Sequence, residues 1–219
     1  MKKFVLCVIV LLITASAFAG SGFAGFGPRF GLNIANVRGD SIPDECKSKM
    51  AFNFGVFATY NINEFIGIQP EIMFTMKGSN AKYEYAAESY CTYKLNLNYI
   101  EIPILAKLTI PLGAVRPYVL AGPEFAVDVG ATYSSDFEGV WAPESESGDV
   151  EDASAMDFGL MFGCGVAFEV GPGFLSLDAR YDMGFLSIYD RPNDAWNAND
   201  AYNEYNNCLS VNLGYAFGK

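Results

Sequence analysis

The chain has 219 residues, with 25 acidic against 14 basic side chains and a net charge of −11. That balance excludes the basic surface by which nucleic-acid binding displaces counterions. It contains no histidine, which removes histidine-activated nucleophiles, histidine general acid–base chemistry and histidine zinc sites together.

In chain order, the first signal is for export. Lys2 and Lys3 precede an apolar run at 4–14, and Ala17-Phe18-Ala19 before Gly20 matches an A-x-A cleavage site. Residues 1–19 therefore read as a signal peptide, and 20–219 as a single domain. The run is too short to cross a bilayer as a helix. Cys7 lies inside it and not just after a cleavage triplet, which argues against a lipoprotein anchor. No later stretch is long and apolar enough for a membrane helix, yet the chain is 51% hydrophobic and 15% aromatic. Such a mixture makes sense if the apolar residues alternate along membrane-spanning strands.

Eight segments carry that alternation. The first, 23–37, sets Phe26, Phe30, Leu32 and Ile34 against Arg29, Gly31 and Asn33. The second, 51–61, sets Phe52, Phe54 and Val56 against Asn53 and Gly55. In the third, 65–78, Ile66, Ile68, Ile72 and Phe74 oppose Gln69, Glu71, Thr75 and Lys77. The fourth, 95–110, opposes Ile100, Ile102 and Ile104 to Glu101 and Lys107. The fifth, 115–131, opposes Val119, Phe125, Val127 and Val129 to Gly122, Glu124 and Asp128. The sixth, 155–170, runs Phe158, Leu160, Phe162, Cys164 and Phe168 against Asp157, Gly159, Gly163, Gly165 and Glu169. The seventh, 174–188, opposes Leu177, Ala179 and Tyr181 to Ser176, Asp178, Arg180 and Asp182. The last, 207–217, opposes Leu209, Val211 and Leu213 to Ser210, Asn212 and Gly214.

The links alternate too. Turn-forming residues at 61–64, 111–114 and 171–173 make short connections, whereas the others run long and polar. Short turns at one end and long loops at the other predict a closed, all-β, eight-stranded antiparallel up-and-down transmembrane β-barrel. The glycine-rich polar parity suits a cramped interior, so the apolar parity is assigned to lipid. The alternative is a soluble periplasmic or secreted barrel that binds a small apolar ligand inside, with the apolar set turned inward.

On the lipid-facing assignment, the lumen holds Arg29, Glu71, Lys77, Glu101, Lys107, Glu124, Asp128, Asp157, Glu169, Asp178, Arg180 and Asp182. Buried charges need partners, so these are expected to form a salt-bridge network that plugs the barrel and not a path for ions. Tyr60, Tyr93, Tyr99, Tyr118, Tyr133, Tyr181, Tyr189 and Tyr215 lie near segment ends, where aromatic girdles form. Pro28, Pro70, Pro103 and Pro123 fall inside strand patterns and predict local bulges, with the register least fixed in segments three to five. Cys46 and Cys91 fall in long links and are candidates for a disulfide, with Cys208 as competing partner; Cys164 sits on the lipid parity. The links at 136–152 and 190–204 are rich in Asp, Glu and Asn, a solvated acidic surface whose oxygens could also take calcium, without EF-hand spacing.

The stretches FGLNIANV, FNFGVFATYNINEFIGIQPEIMFTMKG, LNYIEIPILAKL and RPYVLAGPEF resemble the PorT-like outer-membrane β-barrel family, over nearly all of the exported part. The most specific pieces are Gln69-Pro70-Glu71, Tyr99-Ile100-Glu101-Ile102-Pro103 and Ala121-Gly122-Pro123. The resemblance implies an eight-stranded outer-membrane barrel and no single activity. Tyr215 and Phe217 resemble an outer-membrane assembly signal, with Gly218-Lys219 after the last aromatic as a departure from it. The expected protein is a non-enzymatic barrel of the bacterial outer membrane, structural, adhesive or accessory to a secretion apparatus. It needs no cofactor or metal. Its partners are membrane lipid, the assembly machinery and an extracellular or secretion-system protein.

Overall fold

A computed structural model describes residues 22–39, 42, 45–86, 89–139, 144–189 and 204–218. The predicted signal peptide and residues 190–203 of the last long loop lie outside them. The strands are β1 (Phe23–Gly39), β2 (Cys46–Asn61), β3 (Ile66–Ala86), β4 (Ser89–Thr109), β5 (Val115–Glu138), β6 (Glu146–Asp149), β7 (Met156–Val170), β8 (Gly173–Gly184) and β9 (Glu204–Phe217). All pairings are antiparallel. β1 pairs with both β2 and β9, and β4 with both β3 and β5, so eight strands close a ring and the four-residue β6 adds only to the far end of β5. This is the closed up-and-down barrel that the alternation predicts.

Gly113 and Gly171 sit in the short turns with φ of 73° and 60°, a left-handed conformation that a side chain would strain. The prolines behave otherwise than expected. Pairing runs through Pro28, Pro70, Pro103 and Pro123 without a shift of register. Each proline loses one donor, but its carbonyl and both flanking pairs keep the alignment. The shifts fall elsewhere, at Phe23/Gly25, Ser48/Asn53, Glu84/Ala86 and Asn98/Tyr99.

The two faces separate by chemistry. Phe30 (53%), Phe54 (48%), Phe125 (49%), Val211 (50%) and Leu213 (51%) stand exposed on the outside, while Arg29, Glu71, Lys77, Glu101, Glu124, Asp178 and Arg180 are at most 4% exposed. An apolar exterior around a charged interior is the reverse of a soluble ligand-binding barrel, and that alternative fails here. At the short-turn end Phe26, Phe217 and Tyr215 pack ring on ring, and the Tyr215 hydroxyl donates to the Val170 carbonyl at 2.9 Å, an aromatic belt with a polar tip.

Toward the long-loop end the polarity inverts. Above the apolar band, the outward positions become Asn80, Lys82 and Glu84 on β3, Lys94, Asn96 and Asn98 on β4, and Thr132, Ser134 and Asp136 on β5. The inward positions there become apolar: Val37, Leu95, Leu97, Tyr99, Ala131 and Ile188 form one buried cluster, with Ile42, Val150 and Ala153 packed on it. The shift of register beside Tyr99 keeps β5 in phase across this change, turning Ala131 inward. The extension is therefore built like a water-soluble sheet, and the inversion marks where the bilayer ends.

Candidate functional site: the lumen and outer rim

Two ion clusters occupy the middle of the ring. In the first, Arg29 Nη1 donates to Asp178 Oδ2 at 2.9 Å and lies 3.7 Å from Glu71 Oε1. Arg180 forks onto Glu71 at 2.8 and 3.0 Å and donates through Nε to Asp178 at 2.7 Å. Three further donors complete the carboxylates: the Tyr118 hydroxyl and Asn212 Nδ2 to Asp178 at 2.7 and 3.3 Å, and Gln69 Nε2 to Glu71 at 2.6 Å. Two guanidiniums thus face two carboxylates, and the Arg29 guanidinium also stacks 4.6 Å from the Phe57 ring centre.

In the second cluster the Lys77 ammonium contacts Glu101 at 2.7 Å, Glu124 at 3.2 Å and Asp182. Thr75 donates to the other Glu101 oxygen at 2.7 Å. Here one cation meets three carboxylates.

The remaining predicted lumen charges divide. Lys107 borders the first cluster, donating to Gln69 Oε1 at 3.0 Å with its ammonium 4.1 Å from the Tyr118 ring centre. Asp157 accepts from Asn206 at 2.9 Å, near the Tyr99 hydroxyl. Asp128 departs from expectation: it is half-buried and accepts from the Gly130 backbone at 2.7 Å, turned aside by the register shift at its own position. Glu169 is a clear correction. It is exposed, because it sits at the end of the barrel beside the 171–173 turn, paired across to Phe174.

Tyr99 and Tyr118 also correct the girdle assignment, being 2% and 3% exposed inside the lumen. Tyr99 shares its parity with Glu101, and Tyr118 with Glu124, so alternation pointed inward for both. Phe57, 4% exposed on the parity of Asn53, is a further lumen residue that the same alternation makes legible.

The disulfide expectation fails as well. Cys46, Cys91, Cys164 and Cys208 are free. Cys46 on β2 pairs across to Ala81 and Cys91 on β4 to Tyr83, so β3 stands between them. Two inter-strand spacings put their backbones about 10 Å apart, beyond the roughly 7 Å a disulfide spans. Cys208 is no alternative partner, since it is buried in the lumen. Cys164 is exposed on the apolar exterior, as its parity predicts.

On the rim, Tyr93 and Tyr133 stack at 6.2 Å, and Lys94 pairs with Asp136 at 2.6 Å. Partial burial, then the adjacent Tyr133, holds the Tyr93 hydroxyl above the ordinary phenol range. Beside it Glu144, Glu146, Asp149, Glu151 and Asp152 make the described loop surface acidic.

A family model for the outer membrane protein beta-barrel domain matches residues 17–190. The chain belongs to this outer-membrane β-barrel family. It is a protein of the bacterial outer membrane, and its apolar exterior contacts lipid. Among solved structures, Ail of Yersinia pestis is 17% identical over 89% of this chain and 99% of its own, with a TM-score of 0.42. Neisserial surface protein A is 19% identical over 90% and 100% respectively, with a TM-score of 0.45. OprG of Pseudomonas aeruginosa is 10% identical over 90% and 95%, with a TM-score of 0.47. No curated protein sequence matches the chain.

Proposed function

We propose that this outer-membrane barrel is a non-enzymatic surface protein, structural or adhesive, with a lumen closed to solutes and an extracellular sheet that presents an acidic rim. The observation that carries this reading is the lumen itself. Side chains from opposite walls meet there at hydrogen-bonding distance, Arg180 with Glu71 and Lys77 with Asp182, and the cavity between the clusters measures about 20 Å³, room for a single water. Eight strands leave space for little beyond their own side chains. Without a conduit, function falls to the parts that leave the membrane.

Those parts favour a basic partner. The stretch 136–152 has seven acidic residues and no Lys or Arg, which complements a cationic protein surface and repels a polyanion. Purified protein in a planar lipid bilayer is expected to give no steady conductance, and a reproducible open-channel step would refute closure. Cells displaying a variant with Glu144, Glu146, Asp149, Glu151 and Asp152 neutralised should lose adherence to cationic surfaces while retaining the folded barrel. The PorT-like resemblance supports a second reading, an accessory of a secretion apparatus, for which deletion should empty the medium of specific exported proteins. Export itself is proposed to proceed by cleavage after Ala19, so that the protein isolated from the membrane begins at Gly20. Insertion by the outer-membrane assembly machinery would read Tyr215 and Phe217.

A further inference from the structure

One ammonium does not neutralise the second lumen cluster. Lys77 faces Glu101, Glu124 and Asp182, each at most 4% exposed, and one oxygen from each carboxylate lies within 4.8 Å of the other two. The first cluster does not make up the difference by contact: its two arginines bond its own two carboxylates, and Lys107 at its border donates to Gln69. Uncompensated carboxylates in a dry interior are strongly unfavourable.

The oxygens that Lys77 does not reach give an independent sign. Lys77 bonds Glu124 Oε1 and Asp182 Oδ2, whereas Glu124 Oε2, Asp182 Oδ1 and Asn53 Oδ1 are buried with no hydrogen-bond partner. All three are acceptors. Asn53, Glu101 and Asp182 line the cavity of about 20 Å³, the size of one water or one ion. Two of the three orphaned oxygens thus belong to residues on this cavity, Asn53 and Asp182, and the excess negative charge beside them wants a cation.

We propose that the lumen binds one divalent cation of the calcium class, held by Asp182, Glu101 and Asn53 on the cavity wall, with Glu124 completing the carboxylate cluster beside it. The charge sets the valence: a doubly charged ion together with Lys77 offsets the three carboxylates. The reach sets the class. One oxygen from each of the three carboxylates lies within 4.8 Å of the others, a spread that calcium at about 2.3–2.6 Å, with its irregular coordination, bridges more readily than octahedral magnesium at about 2.0–2.1 Å. All-oxygen ligation disfavours the softer transition metals. Such an ion ties β2, β4, β5 and β8 together across the lumen, at a depth the acidic loops do not reach. The inference does not depend on the adhesive reading of the rim.

The test uses the full barrel refolded in detergent with calcium and then passed into metal-free buffer. Elemental mass spectrometry is expected to find about one calcium per folded chain, and the urea midpoint should rise with calcium, fall with EDTA and respond less to magnesium. The double variant E124Q/D182N should keep its heat-modifiable band, hold no calcium and lose the calcium dependence. Neutralising Asp149, Glu151 and Asp152 on the loop should leave the bound calcium in place; if this variant loses calcium and the lumen variant keeps it, the assignment is wrong. A folded wild-type barrel that carries no metal, with a midpoint indifferent to millimolar calcium, overturns the proposal even where the lumen variant fails to fold.

Discussion

Replacing Arg180 by methionine is the most informative perturbation of the lumen. Arg180 supplies three contacts of 2.7–3.0 Å to Glu71 and Asp178, all between side chains at most 3% exposed. Its loss leaves the two carboxylates unequal. Asp178 keeps Arg29 at 2.9 Å and Tyr118 at 2.7 Å, but Glu71 retains only Gln69 at 2.6 Å and a distant Arg29 at 3.7 Å. Removing one partner of a buried pair costs about 3–5 kcal/mol, most of it the penalty of the charge left behind. With a urea slope of about 2–3 kcal/mol/M for a chain of this size, the midpoint should fall by roughly 1–2.5 M. Replacing both Arg180 and Glu71 by methionine removes that stranded charge, so the double variant should recover most of the loss. Urea titration of the barrel in lipid vesicles, read by heat-modified gel migration, measures all three proteins. The reasoning fails if the single variant shifts by less than about 0.3 M, or if the double variant is as unstable as the sum of the two single ones.

Lys94→Ala on the rim should change stability by about 0–1 kcal/mol in the same titration, because its ion pair with Asp136 is 44% and 43% exposed and solvent screens it. On the exterior, Val211→Arg in the apolar band should cost about 2–4 kcal/mol, whereas Asn98→Arg in the polar extension should be nearly neutral; equal effects would place the bilayer boundary elsewhere. Gly122→Ala should block formation of the heat-modifiable barrel, since its Cβ would lie 2.1 Å from the Ile104 carbonyl oxygen, while Gly130→Ala should fold normally with its nearest neighbour at 3.7 Å. Finally, the folded protein without reductant should accept maleimide at half-exposed Cys46 and Cys91 but not at Cys208, which is 4% exposed. Protection of Cys46 and Cys91 that reductant reverses would restore the disulfide.

Alternation made the strands, their faces and most of the inner charges legible in the sequence, because a period of two is local and every residue in a lipid-bounded barrel must face one side or the other. The errors occur where that local rule meets its neighbours. Glu169 has lumen parity, but it lies at the end of the barrel beside the 171–173 turn, and parity carries no record of how near the rim a residue falls. Asp128 is diverted by a single register shift between β4 and β5, a feature of pairing and not of either strand alone. The prolines depart in the opposite direction, since a lost donor predicts a bulge that the surrounding pairs do not allow.

By itself the sequence determined the outer-membrane barrel, its number of long strands and most of the side chains that turn inward. Only the closed ring decided which of those charges meet. Arg29 and Asp178 are 149 positions apart, and Lys77 and Asp182 are 105 apart. What brings them together is the pairing of β1 with β9, which closes the wall, and the stagger between strands, which sets the level at which each inward side chain enters. Those are sums over all eight pairings, so no segment read alone contains the balanced arginine cluster or the lysine left among three carboxylates.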